Sequence, residues 1–552
     1  VKIALCQINP IVGDFEGNAR LIIDYYTKAS SMGADLCPEL ALTGYPPLDM
    51  IERKDFVDKS LDVLNKFIVP KIKTCGLLIG SINHNTGAGK PYHNSAFFID
   101  DQRIIYVINK QLLPTYDLFD ERRYYEEGKG SSPVYYKGLR LGIHVCEDMW
   151  RNESTYSQKL YDTDPVDNLG EKGIDILINL SASPFARAKD AKRYRIMSGY
   201  AAKWKVPFVM VNTVGANDSI VFDGRSKVVD SKGKLVHDLK AFNEDIYIFD
   251  TDKLTYSKNP KYSDVETVHD ALVLGLKDYM KKNGLEKIII GLSGGIDSAV
   301  CTVLARDAIG AENVTCVTMP TRYSSKGSVV DSVELCKNLG VKLDEVNIDD
   351  VFDMMSSKGN SFKGDSLLKS LVKPGFSDDA MENIQPRIRG LILMAYANTI
   401  PKSIVIAPGN KSEIAVGYCT IYGDTCGALA LIGDIYKTEV YELASYMNMN
   451  KEVIPKSIIQ KHPSAELKPD QRDTDSLPPY PILDEILRLY VEEQLSPEEI
   501  YTQVKSGKDV VDKVISMVLR NEFKRKQLAP VIKVSSRAFV LDRRWPVVHK
   551  FR

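Results

Sequence analysis

From residue 284 onward the chain settles into a regular alternation that leaves few folds open. Strand-like "KIII" is followed by a helical stretch from Ser298, then "VTCVTMP", a helix through "SVVDSVELCKNLG", "KLDEVNI", a helix around 387 to 399, and "SIVIAP". Strands separated by helices pair in parallel through crossovers, so this half predicts βαβ units in a doubly wound parallel sheet. The first half has another rhythm. "KIALCQI", "CGLLIGSI", "NSAFFID", "RIIYVIN", "LRLGIHV", "IDILINL" and "VPFVMVN" are β-branched and aromatic runs, with helices only near 17 to 31 and 187 to 203. "RSKVVDSKGKLVHDL" predicts a hairpin, and "DIYIFD" closes the unit near Asp250. Many strands with few long helices predict stacked sheets covered by helices.

The two rhythms meet at a polar connector, "TDKLTYSKNPKYSD", ahead of a helical pattern from Asp264 to Lys282 that stops at Asn283-Gly284. This divides the chain into domains 1–258 and 259–552. Two domains are also what 552 residues require, because single cores stop growing at roughly 250–300 residues. A formal charge of −1 offers no basic footprint for nucleic acid. No apolar run approaches the roughly 20 residues of a membrane helix, and "VKIALCQINP" reads as a first strand, lacking the apolar core of a secretory signal. Nine cysteines without a C-x-x-C pair, and seven histidines without an H-E-x-x-H spacing, indicate neither a disulfide framework nor a zinc site; a reducing, cytoplasmic location is expected. "MSSKGNSFKGDSLLKSLVKPG" and "KHPSAELKPDQRDTDSLPPYP" are polar and rich in Gly or Pro, and predict long loops of the kind that act as lids.

"GLSGGIDSAV", residues 291–300, lies where the first parallel strand turns into its helix, the place at which such sheets bind anions. In the run Gly291, Leu292, Ser293, Gly294, Gly295, Ile296, Asp297 and Ser298, the two inner glycines permit close backbone approach and the two serines add hydroxyl donors. Asp297 can hold the Mg²⁺ that accompanies a triphosphate. This is no Walker A loop, since no Gly-Lys-Ser/Thr follows, and "GAGK" at 87–90 runs into Pro91. The S-G-G-x-D-S pattern resembles the pyrophosphate loop of the N-type ATP pyrophosphatases. That resemblance implies ATP as co-substrate in the adenylation of a carboxylate or carbonyl, and leaves the acceptor open.

Three fragments of the first half converge on a nucleophile. "LGIHVCEDMW" ends a strand at Cys146, "CPELALTGYPPLDM" ends another and delivers Glu39, and "INKQLLPTYDLFDERRYYEEG" delivers Lys110 where a strand breaks. A free thiol has a pKa of about 8.5 and needs a base or a nearby cation to act at neutral pH. Glu39 can take the proton and Lys110 can stabilise a tetrahedral oxyanion, whereas Glu147 and Asp148 would oppose ionisation if they faced the thiol. The three fragments resemble the Glu-Lys-Cys triad of the nitrilase (carbon–nitrogen hydrolase) superfamily. The resemblance implies an αββα sandwich and cleavage of an amide or nitrile through a thioester or thioimidate.

An ammonia-releasing hydrolase joined to a carboxylate-activating domain, in this order and length, resembles the glutamine-dependent NAD synthetases over essentially the whole chain. By that resemblance glutamine, ATP and deamido-NAD are the substrates and Mg²⁺ is the cofactor; because ammonia is mostly protonated and unreactive in neutral water, the fusion also predicts an enclosed passage from the first site to the second. "NLSASPFARAK" and "LLPTYDLFDE" then imply Ser183, Lys189 and Tyr116 as glutamine contacts. "MENIQPRIRG" implies Asn383 against deamido-NAD, with Arg387 and Arg389 as phosphate partners; "APGNKSE" implies Glu413 as a ligand of both substrate and Mg²⁺, beside Asp297. "YGDTCGALALIGDIYKTEV" and "KHPSAELKPDQRDTDSLPPY" match the segments that follow, the second as a cover over the adenylate. Lys524 in "FKRKQLAP" is implied as another deamido-NAD contact. The resemblance also implies a homo-oligomer through the second domain. The chain departs from the pattern at Pro408, where the family usually has Thr beside ATP, at Pro386, which replaces a common Ala, and after Phe539, where the usual Gly is absent. A different carboxylate acceptor is the alternative reading.

Overall fold

A computed structural model describes residues 1–40, 42–151, 160–356, 377–539 and 542–550, without the side chains of Glu39, Leu40 and Ser356. From 357 on, the first of the two predicted lid segments lies outside the described residues. The chain forms two compact units, Val1–Asp264 and Val265–Arg552.

In the first unit, one six-stranded sheet runs in the order Asp245–Asp250, Lys2–Gln7, Leu36–Leu40, Gly76–His84, Tyr92–Asp100, Arg103–Asn109. A second six-stranded sheet runs Leu235–Asp238, Lys227–Val229, Phe208–Asn212, Ile176–Ser181, Leu139–Val145, Val134–Tyr136. Side chains alternate across each strand, and here both faces are buried. Ile3 and Leu5 meet Ile143, Ile178 and Val209 of the other sheet in one core. Ala4 and Cys6, on the opposite face, pack under Ala19, Ile22 and Tyr26 of the helix Phe15–Ser31. On the far side Leu177, Phe208 and Met210 lie under Ile196, Met197 and Tyr200 of the helix Lys189–Trp204. The result is helix, sheet, sheet, helix, which accounts for near-continuous apolar strands such as "KIALCQI". The hairpin expected at 226–238 is the antiparallel pair Lys227–Val229 with Leu235–Asp238.

The second unit is built on a five-stranded parallel sheet, ordered Lys342–Glu345, Val314–Thr318, Lys287–Gly291, Ser403–Ala407, Leu429–Ala430. In chain order that is 3-2-1-4-5, so the order reverses between Lys287–Gly291 and Ser403–Ala407. The loops leaving those two strands diverge and open a crevice at their carboxyl ends. A helical layer including Tyr480–Leu487 and Lys508–Arg520 buries Leu483, Val511, Val514 and Val518 against Ile414 and Tyr436.

The helix expected around 387–399 begins earlier and runs Asp378–Thr399, with Pro386 inside it. A proline normally reads as a helix boundary, because it disfavours α geometry before it and donates no hydrogen bond. Here the Ser377 side chain caps the start by accepting the Ala380 N–H. Pro386 also packs so closely on Gly423 that a Cβ there would sit 2.9 Å from the proline Cβ. Tertiary packing thus outweighs the local preference.

Candidate active sites

The strand Leu139–Val145 gives way to a tight 3-10 turn at Cys146, which adopts φ +44°. That left-handed geometry is uncommon for a residue with a Cβ, and it presents the thiol at the end of the strand. Asp148 holds the turn by accepting the backbone N–H groups of Gln111, Leu112 and Val145. Burial raises its carboxyl to about 6 despite those donors. Asp148 is therefore committed to the backbone just after Lys110 and just before Cys146.

Lys110 follows the strand Arg103–Asn109, is 1 % exposed, and places Nζ 2.5 Å from Glu121 Oε2. Burial alone would strip its proton, but Glu121, Cys146 and Glu147 outweigh that and hold the ammonium above the ordinary lysine range. The Tyr45 hydroxyl donates to the other Glu121 oxygen at 2.9 Å. Cys146, Lys110, Glu121, Tyr45 and Asn94 share the wall of a cavity of about 30 Å³. Burial pushes the Cys146 thiol up; Lys110 draws it down, and Glu147 and Glu121 push it up again. The thiol thus needs a base. Glu39 lies in the strand Leu36–Leu40, paired with Ile79, and its side chain is outside the described residues.

Of the glutamine contacts expected from sequence, Tyr116 and Lys189 lie within electrostatic reach of this thiol. Tyr116 donates its hydroxyl to Glu147 Oε1 at 2.8 Å, and Tyr161 donates to the same oxygen at 3.0 Å. Burial raises the Glu147 carboxyl to about 7, against Lys110 and both hydroxyls. Lys189 opens its helix, with Nζ 5.6 Å from the Trp150 ring centre and 5.8 Å from that of Phe119. Burial, then Arg193, lowers its ammonium to about 8, while Asp117, Cys146 and Glu147 support the charge. The next residue, Asp190, is pinned by Arg225 and Lys227 at 2.8 and 3.0 Å. Ser183 is buried and held through its backbone by Asn212, whose Oδ1 accepts its N–H at 2.8 Å.

In the second unit, a cavity of about 280 Å³ occupies the crevice where the strand order reverses. Gly291, Leu292, Ser293, Gly295, Ile296, Asp297 and Ser298 line it, with Pro408 from the loop after the neighbouring strand and Glu413 from the helix Lys411–Val416 beyond it. Gly294 lies behind the loop at φ +75°, where a Cβ would stand 2.4 Å from the Ser328 carbonyl oxygen. Ser293 Oγ accepts the Gly295 N–H at 3.2 Å and Ser298 Oγ donates to the Gly295 carbonyl at 3.1 Å, so the two hydroxyls hold the loop's shape.

Asp297 and Glu413 come together around a lysine that sequence reasoning had not singled out. Lys437 Nζ lies 2.5 Å from Asp297 Oδ2 and 3.3 Å from Glu413 Oε1, and Asn410 donates to Asp297 at 3.0 Å while capping the helix that carries Glu413. Burial would lower the Lys437 ammonium, but Asp297 and Glu413 hold it well above the ordinary range. Burial raises the Glu413 carboxyl, with Asp297 and Asp473 adding to the rise against Lys437. Among the described residues no three His, Cys, Asp or Glu side chains are placed to hold a metal by themselves. Two carboxylates on one wall are what Mg²⁺ commonly takes from a protein beside phosphate oxygens and water, so the pair fits that ion.

Arg389 lines the same cavity, its Nε donating to the Met319 carbonyl at 3.1 Å; burial lowers its guanidinium to about 10. Three other expected contacts are not on that wall. Asn383 accepts the Thr420 hydroxyl at 2.6 Å, Arg387 is exposed with Nε 3.3 Å from the Ile421 carbonyl oxygen, and Lys524 donates to the carbonyls of Gly417 and Cys419 at 2.7 and 2.8 Å. Glu121 and Lys437 are the functional residues that sequence reasoning missed. Both stood in fragments already matched to a family, but nothing local marks either of them.

Comparison with known proteins covers both units. The carbon–nitrogen hydrolase family matches residues 2–258, and the NAD synthase family matches residues 268–528. The glutamine-dependent NAD(+) synthetase of Synechocystis sp. is 40% identical over 563 residues, covering 100% of this chain and 99% of that protein. The Thermotoga maritima protein of the same description is 39% identical over 596 residues, with coverage of 100% and 99%. Among solved structures, a glutamine-dependent NAD+ synthetase from Acinetobacter baumannii in complex with adenosine diphosphate is 34% identical, with TM-score 0.77, covering 99% of this chain and 98% of that one.

Proposed function

The chain belongs to the glutamine-dependent NAD(+) synthetases, and from that premise we propose how its two cavities divide the reaction. Residues 1–258 are the glutamine amidohydrolase and residues 259–552 the ATP-dependent synthetase. Glu39 takes the Cys146 proton, and the thiolate attacks the side-chain amide carbon of glutamine. Lys110, fixed by Glu121 and Tyr45, stabilises the oxyanion without having to reorganise. Ammonia leaves, and water hydrolyses the glutamyl thioester to glutamate. Glu147 receives the α-ammonium of glutamine and Lys189 its α-carboxylate, with Tyr116 and Ser183 beside them, which selects an amino acid over a plain amide.

In the second cavity the nicotinate carboxylate of deamido-NAD attacks the α-phosphorus of ATP seated on residues 291–298, and pyrophosphate leaves. Ammonia then displaces AMP from the acyl-adenylate to form NAD. Asp297 and Glu413 would hold Mg²⁺, which when bound neutralises phosphate charge. Lys437 offsets the carboxylates and steadies them. Pro408 lines the cavity with ring carbons where the family usually offers a hydroxyl, so adenine nucleotide is held there by shape and backbone.

We further infer an oligomer through the synthetase domain. Leu391 is 70% exposed and Met394 39%. With Asn383 and Arg387 they continue along one face of the helix Asp378–Thr399. A second copy covering that face would bring its own groups to Asn383, Arg387 and Lys524, which explains why the wall of a single chain leaves them out. A cytoplasmic location accords with nine free cysteines.

The arrangement that carries this reading is Cys146, Lys110 and Glu121 in one unit with a pyrophosphatase loop facing Asp297, Glu413 and Lys437 in the other. Its test is NAD formation from deamido-NAD and Mg-ATP by wild type and Cys146→Ala. The variant should lose glutamine as nitrogen source and keep ammonium. If wild type makes no NAD from either source, the acceptor is another carboxylate.

A further inference from the structure

Resting on that reading of the synthetase cavity, we propose that Glu466 is a positioning residue that latches the segment from Lys461 to Asp473 over the adenylate. Lys461, Glu466 and Leu467 from this segment form one wall of the cavity. Within it the Glu466 carboxylate is tied to the neighbouring helix: Oε1 accepts the Ser328 hydroxyl at 2.8 Å and Oε2 accepts the Ser325 backbone N–H at 3.3 Å. Ser325 caps the helix Lys326–Leu339, so the carboxylate meets the positive end of a 14-residue helix. Lys461 Nζ stands 3.2 Å from Oε1 and also hydrogen-bonds Ser328.

The same segment is tied to a second wall. Gln385 Nε2 donates to the Leu467 carbonyl at 2.8 Å, and Lys468 pairs with Glu382 at 3.1 Å, both on the helix Asp378–Thr399. The Lys468 pair is solvent-exposed and contributes little. Glu466 is only 20% exposed and makes two hydrogen bonds as an anion, so it is the strongest of these ties.

Ser328 gives the latch a link to the nucleotide. Glu466 holds the Ser328 hydroxyl, and Gly294 abuts the backbone of the same residue, close enough that no Cβ fits between. Any shift of the phosphate loop as a triphosphate seats therefore moves the surface that holds the lid. Glu466 also opposes the loss of charge on Arg389, so the lid's anion supports a cation on the cavity wall.

A closed lid matters because the acyl-adenylate has two fates. Ammonia attack forms the amide. Water attack on the same carbonyl carbon breaks its bond to the phosphate oxygen, AMP leaves with the electron pair, and the nicotinate carboxylate is regenerated. The second route converts ATP and water into AMP and pyrophosphate with no NAD formed.

The experiment measures pyrophosphate and NAD together in the full-length protein supplied with glutamine, for wild type, Glu466→Gln, Ser328→Ala and the double variant. Glutamine in place of Glu466 offers one acceptor where the latch uses two, and turns an amide N–H₂ toward a donor. Each single variant should raise the excess of pyrophosphate over NAD, per NAD formed, by roughly tenfold, the effect of losing one charge-assisted hydrogen bond. Because both changes break one contact, the double variant should be no worse than the stronger single variant. A merely structural role would lower the melting temperature and both products alike, leaving the ratio where it was. An excess of pyrophosphate per NAD within twofold of wild type in both single variants, with NAD still formed, overturns the latch. Absence of NAD from wild type overturns the assigned reaction itself, and the latch with it.

Discussion

Gly294→Ala tests whether the phosphate loop works as a shape held against its neighbours. Gly294 sits at φ +75°, and a Cβ placed there would lie 2.4 Å from the Ser328 carbonyl oxygen and 2.6 Å from Ser328 Cα. The left-handed backbone costs a non-glycine residue roughly 1–2 kcal/mol. Both close atoms belong to backbone, so no rotamer change relieves the overlap, and overpacking of this kind costs about 1–3 kcal/mol more. Relief requires the loop or the helix Lys326–Leu339 to move by about 1 Å, the shortfall from an ordinary contact. A displacement of that size at a reacting centre costs on the order of 100-fold in rate. NAD formation with saturating ammonium should therefore fall about 100-fold, while Cys146-dependent glutamine hydrolysis continues. Gly295→Ala is the control for stability: its φ is −95°, and the nearest atom to a new Cβ is the Ser293 hydroxyl at 3.3 Å, which can rotate. An ammonium-dependent rate for Gly294→Ala within threefold of wild type would show that the abutment on Ser328 does not set the loop, and the reasoning would fail.

Glutamine use should have a bell-shaped pH profile. In the proposed roles, Glu147, raised to about 7, would lose the charge that receives the α-ammonium below that pH, and Lys189, lowered to about 8, would lose the charge for the α-carboxylate above it. Measured kcat/KM for glutamine should peak between about 7 and 8, and Lys189→Arg should move the alkaline limb upward; a flat profile across that window would contradict both assignments. His269 bridges Asp270 and Asp307 at 3.0 and 3.4 Å, and although burial opposes it, those carboxylates raise its pKa to about 9. A raised folded-state pKa contributes stability that is full below about 6.5 and is lost as pH rises through about 9, on the order of 2–3 kcal/mol at neutrality. Urea unfolding of His269→Gln should show that deficit at pH 6 and little of it at pH 10.

Periodicity made the architecture of each unit legible, because strands buried on both faces and strands separated by helices leave distinct patterns. The loop at 291–298 was legible for the same reason, as its chemistry is carried by consecutive residues. Pro386 was not, since its tolerance depends on Gly423, far along the chain. Glu121 and Lys437 show the limit for site residues. Glu121 meets Lys110 only because the chain turns back after the strand Arg103–Asn109, and Lys437 reaches Asp297 across 140 positions. A buried partner is defined by a contact, and no local run of residues announces it. The segment at 461–480 read correctly as a long loop, but which of its carboxylates would turn inward could not be read from composition.

The two lysines also show why the sites are charged differently. Lys110 and Lys437 are 1 % and 3 % exposed, and each keeps its proton only because carboxylates lie beside it. Ion pairs so deeply buried seldom stabilise a fold better than apolar packing would, so stability is a poor account of them. What they supply is a charge already oriented when the reaction needs it. Lys110 is held by Glu121 at 2.5 Å, and its ammonium is oriented to meet the negative charge of a tetrahedral intermediate. Lys437 is opposed by Asp297, Glu413 and Asp473, three carboxylates to one ammonium, which leaves the wall negative when all are ionised. A triphosphate meeting that wall without a divalent cation would be repelled; the Glu413 carboxyl is itself raised, first by burial and then by Asp297 and Asp473. On the proposed function, one arrangement would suit an anionic intermediate formed from a neutral amide, and the other would receive its nucleotide together with Mg²⁺.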